Sequence, residues 1–204
     1  HFLPRMDQQP VAVGKTSDDA IISKSSAANF GYFNDEYLRH FVSKTARRSA
    51  LINRGYYIRV KVIRQELIAF IKASKACQII SVGAGMDTSF FALHDELGYG
   101  PDAYVELDFP HIVKMKQAVF DAHPESFKLP RQGYHLLSCD LRDLAHLEKA
   151  LQDIQFDFEK PTLVLSECVL MYMKPSDSNK VIEFFHAKLP NLIYFSYDQS
   201  LPMV

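Results

Sequence analysis

The chain has 204 residues, of which 48% are apolar, and its formal net charge at pH 7 is -1. A chain of this length can bury one ordinary hydrophobic core, and its near-neutral charge favours neither nucleic acid nor an anionic membrane as a partner. We therefore expect no nucleic-acid partner. No stretch approaches the roughly 18 consecutive apolar residues that cross a membrane, so we also expect no membrane association.

The N-terminal part of the chain has a helical pattern. Over residues 17–74 the apolar residues recur mostly every three or four positions, which is the spacing of one face of a helix. The clearest run predicts one long amphipathic helix, with its N-cap at Ser49 or Asn53. We interpret residues 1–75 as an N-terminal helical segment. The apolar positions of the long helix are Ile52, Tyr56, Val60, Ile63, Leu67 and Ile71.

After this segment, short apolar runs alternate with helical ones. This alternation predicts an α/β core over residues 76–204, with a parallel sheet that helices cover on both faces. Pro110 and Pro175 each open a predicted helix, where the missing N–H costs nothing, and Gly98 ends another. The predicted strands are 77–82, 103–108, 134–138, 162–167 and 191–196, and helices are predicted at 87–97 and 141–154.

The three cysteines lie in strand-like apolar runs and form no Cys-x-x-Cys pair. An odd number of buried thiols is typical of a reducing compartment, so we expect reduced cysteines in a cytoplasmic protein. The eight histidines lack the HxxxH and HExxH spacings of metal sites, and we expect no metal. The cysteines are Cys77, Cys139 and Cys168.

A glycine turn follows the first predicted strand and reads GAGMDT from Gly83 to Thr88. It lacks the third glycine of the usual dinucleotide-binding loop. Asp87 stands where a phosphate would sit, and the repulsion would cost about 1 to 4 kcal/mol. An adenosine ligand with a positive centre, S-adenosylmethionine, therefore fits better than a dinucleotide. A plain tight turn and a dinucleotide oxidoreductase remain as alternatives.

Acids lie at the carboxyl ends of three predicted strands, which is where ligands bind in such sheets. For S-adenosylmethionine, Asp108 would accept from the ribose hydroxyls and Asp140 from the adenine amino group, with Leu141 against the ring. Glu167 would enter the middle of the site. As structural alternatives, Asp140 could be a helix N-cap, with Asp143 three residues on, and Glu167 could bind backbone amides.

Seven motifs give the chain a resemblance to the leucine carboxyl methyltransferases, from about Thr16 to Gln199. The resemblance implies a class I S-adenosylmethionine-dependent methyltransferase, with a Rossmann-like parallel sheet and an N-terminal helical lid. It also implies methylation of the C-terminal leucine carboxylate of the protein phosphatase 2A catalytic subunit. The motifs are SDDAIISK, INRGYYIRV, SVGAGMDTSFF, VELDFP, CDLRDL, LSECVLMYM and FSYDQ.

The resemblance also assigns a cofactor role to two cations of the predicted lid, Lys24 and Arg59. Without it, these two would be interpreted as members of surface ion pairs. Arg54 and Tyr172 are further candidates for the pocket, and no catalytic acid or base is assigned. The implied cofactor residues are Lys24, Arg59, Gly83, Asp108, Asp140, Leu141 and Glu167.

The sequence departs from the family in two places. Ser25 stands where the family has an arginine, so the contact that this arginine could make to a carboxylate is not carried over. Family members also continue beyond the fifth strand, so we expect a sheet truncated there, with an apolar open edge. We expect such a chain to be impaired in methyl transfer, prone to aggregation or dependent on a partner.

Other functions remain open at this stage. One is an S-adenosylmethionine-binding fragment or interaction module without activity. Another is a relative of the family that methylates a wybutosine precursor in tRNA. GAGMD and SECVL resemble the protein-carboxyl branch more than that relative, whose pattern tends towards GAGFD and AEAVL.

Overall fold

The computed structural model describes residues 10–43, 46–74, 76–128 and 133–198, with side chains described from residue 19 onwards. The ends of the two predicted segments, residues 1–9 and 199–204, lie outside these ranges, as does residue 75 at their predicted boundary. The division of the chain at that boundary stays a prediction.

Five parallel strands form one sheet in the order β3-β2-β1-β4-β5. Because the order reverses between β1 and β4, the carboxyl ends of these strands border the crevice in which such sheets bind ligands. The predicted bounds of β2, β3 and β4 are confirmed, and the other two strands begin one residue later than predicted. The strands are β1 (Gln78–Val82), β2 (Ala103–Asp108), β3 (Tyr134–Ser138), β4 (Thr162–Glu167) and β5 (Leu192–Tyr197).

Helices connect the strands, as the alternating pattern predicts. Pro110 and Pro175 open α4 and α6, and Gly98 ends α3 in a left-handed conformation with φ of 74°. Short 3-10 helices lie at Tyr37–His40 and Leu170–Tyr172. The helices are α1 (Pro10–Asn29), α2 (Ala50–Ala73), α3 (Ser89–Leu97), α4 (Pro110–Ala122), α5 (Leu144–Asp153) and α6 (Pro175–Lys188).

Two predicted helix starts are wrong by a few residues, and near each of them an aspartate accepts a hydrogen bond from a backbone amide. Helix α3 begins at Ser89 rather than at residue 87. Its N-cap is Thr88, which makes no side-chain cap hydrogen bond, and the Asp87 carboxylate accepts from the Ser89 amide. Helix α5 begins at Leu144 rather than at residue 141, since Asp143 accepts from the amide of His146. A side-chain acceptor of this kind fixes the first turn of a helix.

Side chains from alternate strand positions pack on opposite faces of the sheet. On one face Ile79, Tyr104 and Leu163 meet helices α2, α3 and α4 through a largely aromatic cluster that includes Leu67, Phe91 and Phe120. On the other face Ile80, Val105 and Val164 meet α5 and α6, with Leu147, Val181 and Phe185. Burial on both faces explains why the strands are continuously apolar.

The two N-terminal helices pack against each other, and α2 also packs against the sheet. Their junction contains a buried polar network, in which the Ser26 hydroxyl donates to the Asn53 side chain at 2.9 Å and accepts from the Arg48 amide at 3.0 Å. Asn53 is therefore a buried residue inside α2 rather than its cap. The cap is Ser49, whose hydroxyl accepts from the Ile52 amide at 3.4 Å.

The predicted sheet edge lies at β5, which pairs with β4 alone in the part of the chain that the structure describes. Ile193 in this strand is 52% exposed. An exposed apolar edge of this kind can pair with other chains. The expected effects of this edge on activity and aggregation stay predictions.

The N-cap role of Ser49 in α2 can be tested by substitution. Because Ser49 is exposed, Ser49→Ala removes the cap acceptor without opening a cavity, and we expect the free energy of unfolding to fall by about 1 kcal/mol. Ser49→Asp keeps an acceptor at the same place and should leave it nearly unchanged. Urea denaturation of the three proteins measures this, and equal stability of all three would contradict the assigned cap.

Candidate active site

The glycine turn connects β1 to α3 at the carboxyl edge of the sheet. Gly83 and Gly85 have φ of 59° and 55°, in the left-handed region that other residues rarely adopt. A Cβ on Gly83 would also lie 2.6 Å from a methyl carbon of Val169. The turn therefore needs glycine at both positions, whether or not it also faces a ligand.

Asp108, at the end of β2, is tied to this turn. Its buried carboxylate accepts hydrogen bonds from the amides of Gly85 at 2.6 Å and Phe109 at 2.7 Å. Burial raises the pKa of Asp108, and the two amides offset part of that rise. Each carboxylate oxygen can accept a further hydrogen bond, so these contacts are compatible with the predicted ribose contact.

Glu167, at the end of β4, forms ion pairs with Lys24 of α1 and Arg59 of α2. Lys24 lies 3.0 Å from one Glu167 oxygen, and the Nε of Arg59 donates to the same oxygen. Lys24 also lies 3.2 Å from the Asp87 carboxylate. The four side chains are only 6–12% exposed. The surface-ion-pair interpretation of Lys24 and Arg59 is therefore wrong. Within the part of the chain that the structure describes, the Glu167 carboxylate contacts these two cations and not the backbone amides of the structural alternative.

The ion pairs shift the pKa values of their members. Burial disfavours the charged form of Lys24, but Glu167 and Asp87 together raise its pKa above the ordinary value. The pKa of Arg59 is likewise raised, with Glu167 outweighing the cost of burial. Burial also opposes the charge of Asp87, yet Lys24 and Lys116 lower its pKa to about 2. Lys24, Arg59 and Asp87 are thus held in their charged forms at neutral pH.

Asp140 and Leu141 follow β3 at the same edge of the sheet. The Asp140 carboxylate accepts two hydrogen bonds from the Nε and Nη2 of Arg142, at 2.9 and 2.5 Å, and one from the Arg142 amide. Its pKa is lowered, chiefly by the Arg142 side chain. The N-cap alternative for Asp140 is wrong because Asp143 caps α5. Leu141 is buried in the core beside α5.

The two further pocket candidates differ in position. Tyr172 is half-buried in the 3-10 helix after β4, and its pKa is raised by burial and by nearby Cys168, with Arg59 opposing the rise. It therefore lies close to the Glu167 cluster. Arg54 is exposed on α2, and no contact described for it reaches the cluster.

Several residues of this region were not predicted from the sequence. The Arg59 guanidinium lies 5.4 Å from the ring centroid of Tyr56, one helical turn earlier in α2, where the spacing could have indicated it. Cys168 is half-buried with a positive φ of 55°, so the expectation that all three cysteines are buried is wrong here, although all three are free thiols. No local signal indicated that Asp87 pairs with Lys24.

A small cavity lies beside Lys24 and Glu167, between the N-terminal helices and the start of α3. The other side chains that line it include Phe33, Val60, Ile63, Asp87, Thr88 and Ser89. Among the described residues no group of three metal-ligating side chains occurs. In the same part of the chain, no helix is long and apolar enough to cross a membrane.

Comparison with known proteins identifies similar sequences. The profile of the family "Leucine carboxyl methyltransferase" matches residues 12–186. Leucine carboxyl methyltransferase 1 of Rattus norvegicus is 36% identical over 203 residues, covering 90% of this chain and 61% of that protein. The tRNA wybutosine-synthesizing protein 4 of Homo sapiens is 32% identical and covers 94% of this chain and 31% of that protein. The chain thus spans less than two thirds of the length of these relatives.

A solved structure of a candidate methyltransferase from Thermobifida fusca YX superposes with a TM-score of 0.50 at 15% sequence identity. The superposition covers 81% of this chain and 66% of that one. At this identity the likeness concerns the fold alone. The predicted Rossmann-like class I methyltransferase fold is confirmed.

The depressed pKa of Asp87 predicts a pH dependence of stability. Its pKa falls from 3.8 to about 2 on folding, so its stabilising contribution is present above about pH 4 and is lost as the pH falls towards 2. Asp87→Asn should therefore cost about 2 kcal/mol at pH 6 and clearly less at pH 3. Urea denaturation of parent and variant at both pH values measures the difference.

Asp153→Asn, an exposed position at the end of α5, is the matched control and should change the stability little at either pH. A cost of Asp87→Asn that is equal at pH 3 and pH 6 would contradict the buried ion pair.

Proposed function

Because the chain belongs to the leucine carboxyl methyltransferase family, we propose that it is an S-adenosylmethionine-dependent protein carboxyl methyltransferase. The proposed substrate is the C-terminal leucine carboxylate of the protein phosphatase 2A catalytic subunit, which would become a methyl ester. We place the reaction in the cytoplasm, where free thiols such as those of the three cysteines persist.

The buried cluster of Glu167, Lys24 and Arg59 carries this proposal. The methionine end of S-adenosylmethionine has an ammonium group and a carboxylate group. The cluster offers one negatively charged hydrogen-bond acceptor and two positively charged donors. Glu167 would hold the ammonium, and Lys24 and Arg59 would hold the carboxylate. The ligand would exchange existing ion pairs for new ones, so no buried charge is left without a partner.

The adenosine end would bind along the neighbouring strand ends. Asp108 would accept from the ribose hydroxyls, Asp140 from the adenine amino group, and Leu141 would lie against the ring. Gly83 keeps the backbone close to this position without a side chain in the way. The Asp87 carboxylate accepts from the Ser89 amide at the start of α3, which is a donor that a dinucleotide phosphate would use, and this argues against the oxidoreductase alternative.

The chemistry needs no general base. A C-terminal carboxylate has a pKa of about 3.3 to 3.7, so it is already a nucleophile at neutral pH. When bound, S-adenosylmethionine supplies a methyl group on a cationic sulfur. When the methyl group moves to the carboxylate oxygen, the negative charge of the carboxylate and the positive charge of the sulfur are both lost. A dry pocket favours a step in which charge is lost. The residues of the chain therefore act by orienting the groups and excluding water, and the N-terminal helices would serve as the lid.

Arg54 and Tyr172 are proposed for the protein substrate rather than for the cofactor. Tyr172 lies near Arg59. Arg54 is exposed on the outer surface of the same helix as Arg59, where an incoming chain terminus could reach it.

The similarity to the human tRNA wybutosine-synthesizing protein 4 supports a second candidate, a methyltransferase acting on tRNA. The net charge of -1 argues against it, since tRNA binding relies on neutralising phosphates with basic residues. A fragment that binds the cofactor without activity is the third candidate.

Methyl transfer to three substrates distinguishes these candidates. With labelled S-adenosylmethionine, we expect base-labile methyl incorporation into intact phosphatase and none into phosphatase that lacks its last leucine. Incorporation into tRNA, or into the shortened phosphatase, would contradict the proposed substrate. Cofactor binding without any transfer would favour the fragment.

The cofactor assignment of Arg59 is tested by affinity for S-adenosylhomocysteine, which keeps the methionine carboxylate. Arg59→Ala should weaken binding by about 1.5 to 3 kcal/mol, since a charge-assisted hydrogen bond is lost. Lys72→Ala, at an exposed position in the last turn of the same helix, is the matched control and should bind as the parent does. Calorimetric titration measures the affinities. Equal affinities of Arg59→Ala and the parent would contradict the assignment of Arg59 to the cofactor site.

A further inference from the structure

A second ion pair lies completely buried beneath the glycine turn. Lys116 of α4 and Glu106 of β2 are paired, and both side chains have 0% exposure. The hydroxyl of Tyr134 in β3 donates to the same Glu106 oxygen at 2.9 Å. None of these three residues belongs to the proposed cofactor contacts.

Lys116 also reaches the segment that follows the glycine turn. Its Nζ donates a hydrogen bond to the backbone carbonyl of Asp87 at 2.6 Å. The carboxylate of Asp87 points to other partners, namely Lys24 at 3.2 Å and the amide of Ser89 at 3.0 Å. One residue therefore connects the buried pair to the cluster around Glu167.

The charges alternate along this connection. Glu106 is followed by Lys116, then by Asp87 and Lys24, and finally by Glu167 with Arg59. Lys116 is also one of the two lysines that lower the pKa of Asp87. Removing Lys116 would release the Asp87 carbonyl and weaken the field that keeps its carboxylate ionised.

We propose that Lys116 is a positioning residue of the cofactor site: by holding the Asp87 carbonyl, it sets where the Asp87 carboxylate meets Lys24. This inference rests on the proposed function, because it assumes that Lys24 binds the cofactor. A role in stability alone is the competing explanation. Buried ion pairs can often be replaced by apolar residues without loss of stability. A variant in which apolar residues replace this pair can therefore keep its stability, and a loss of cofactor affinity in that variant would indicate positioning.

The central variant combines Lys116→Met with Glu106→Leu, which removes both charges and keeps an apolar pair of similar size. We expect it to bind S-adenosylhomocysteine about tenfold more weakly than the parent, the effect of losing one hydrogen bond to a charged group. Glu106→Asp keeps a carboxylate beside Lys116 and leaves Lys116 able to donate to Asp87, so it should bind as the parent does. Lys114→Met, at an exposed position on the same helix, is the surface control.

A second measurement tests the route through Lys24. In a Lys24→Met background, the same double substitution of Lys116 and Glu106 should cost little further affinity, because the contact that Lys116 positions is already gone. A purely structural role would weaken binding equally in both backgrounds. Should the apolar pair prevent folding, Lys116→Leu with Glu106→Gln removes both charges and the donor to Asp87, keeps an acceptor for the Tyr134 hydroxyl, and is compared by the same criterion.

Calorimetric titration with S-adenosylhomocysteine decides between the outcomes. Parental affinity in the apolar double variant, or an equal loss in both backgrounds, would overturn the positioning role while leaving the proposed function intact. A parent chain that does not bind S-adenosylhomocysteine would overturn the proposed function and this inference together.

Discussion

The rest of the site depends on one largely buried carboxylate, that of Glu167, whose side chain is 11% exposed and which two cations from different helices share. A buried carboxylate without a partner is costly, so the fold must bring a cation to the end of β4. Lys24 comes from α1 and Arg59 from α2, and the network around Ser26 and Asn53 holds these helices together. The same ion pairs therefore attach the N-terminal helices to the sheet and form the polar centre of the site.

This double use has a consequence for ligand binding. Under the proposed function, the ion pairs that anchor the N-terminal helices would rearrange when the zwitterion enters, so cofactor binding and the position of these helices would be coupled through the same atoms. Exchange of partners costs less than breaking pairs outright, because the charges stay compensated. The partners already lie at 10–12% exposure, which strengthens their interactions relative to those at the surface.

Asp87 links the glycine turn to this cluster. Its carboxylate accepts from the Ser89 amide at the start of α3 and pairs with Lys24, and its carbonyl accepts from Lys116. One residue thus ties the start of α3, the glycine turn and the cluster around Glu167 together, which explains why so many of its atoms are constrained.

The sequence alone predicted the alternation of strands and helices and most of the element bounds. The apolar runs predicted the bounds of β2, β3 and β4, the prolines predicted the starts of α4 and α6, and acids at strand ends indicated the edge where the site lies. These features follow from local periodicity and backbone chemistry, which neighbouring residues reveal. The family resemblance added Lys24 and Arg59, although spacing alone suggested surface ion pairs.

Only the tertiary structure decided which of these residues meet. Glu167 is separated from Lys24 by 143 positions and from Arg59 by 108, and no local pattern encodes such pairings. The same limit applies to Lys116, which in sequence is an ordinary lysine of an amphipathic helix but in the fold is completely buried. Strand order and the packing of α1 and α2 determine these partners, because a charge can be buried only where the folded chain places an opposite charge beside it.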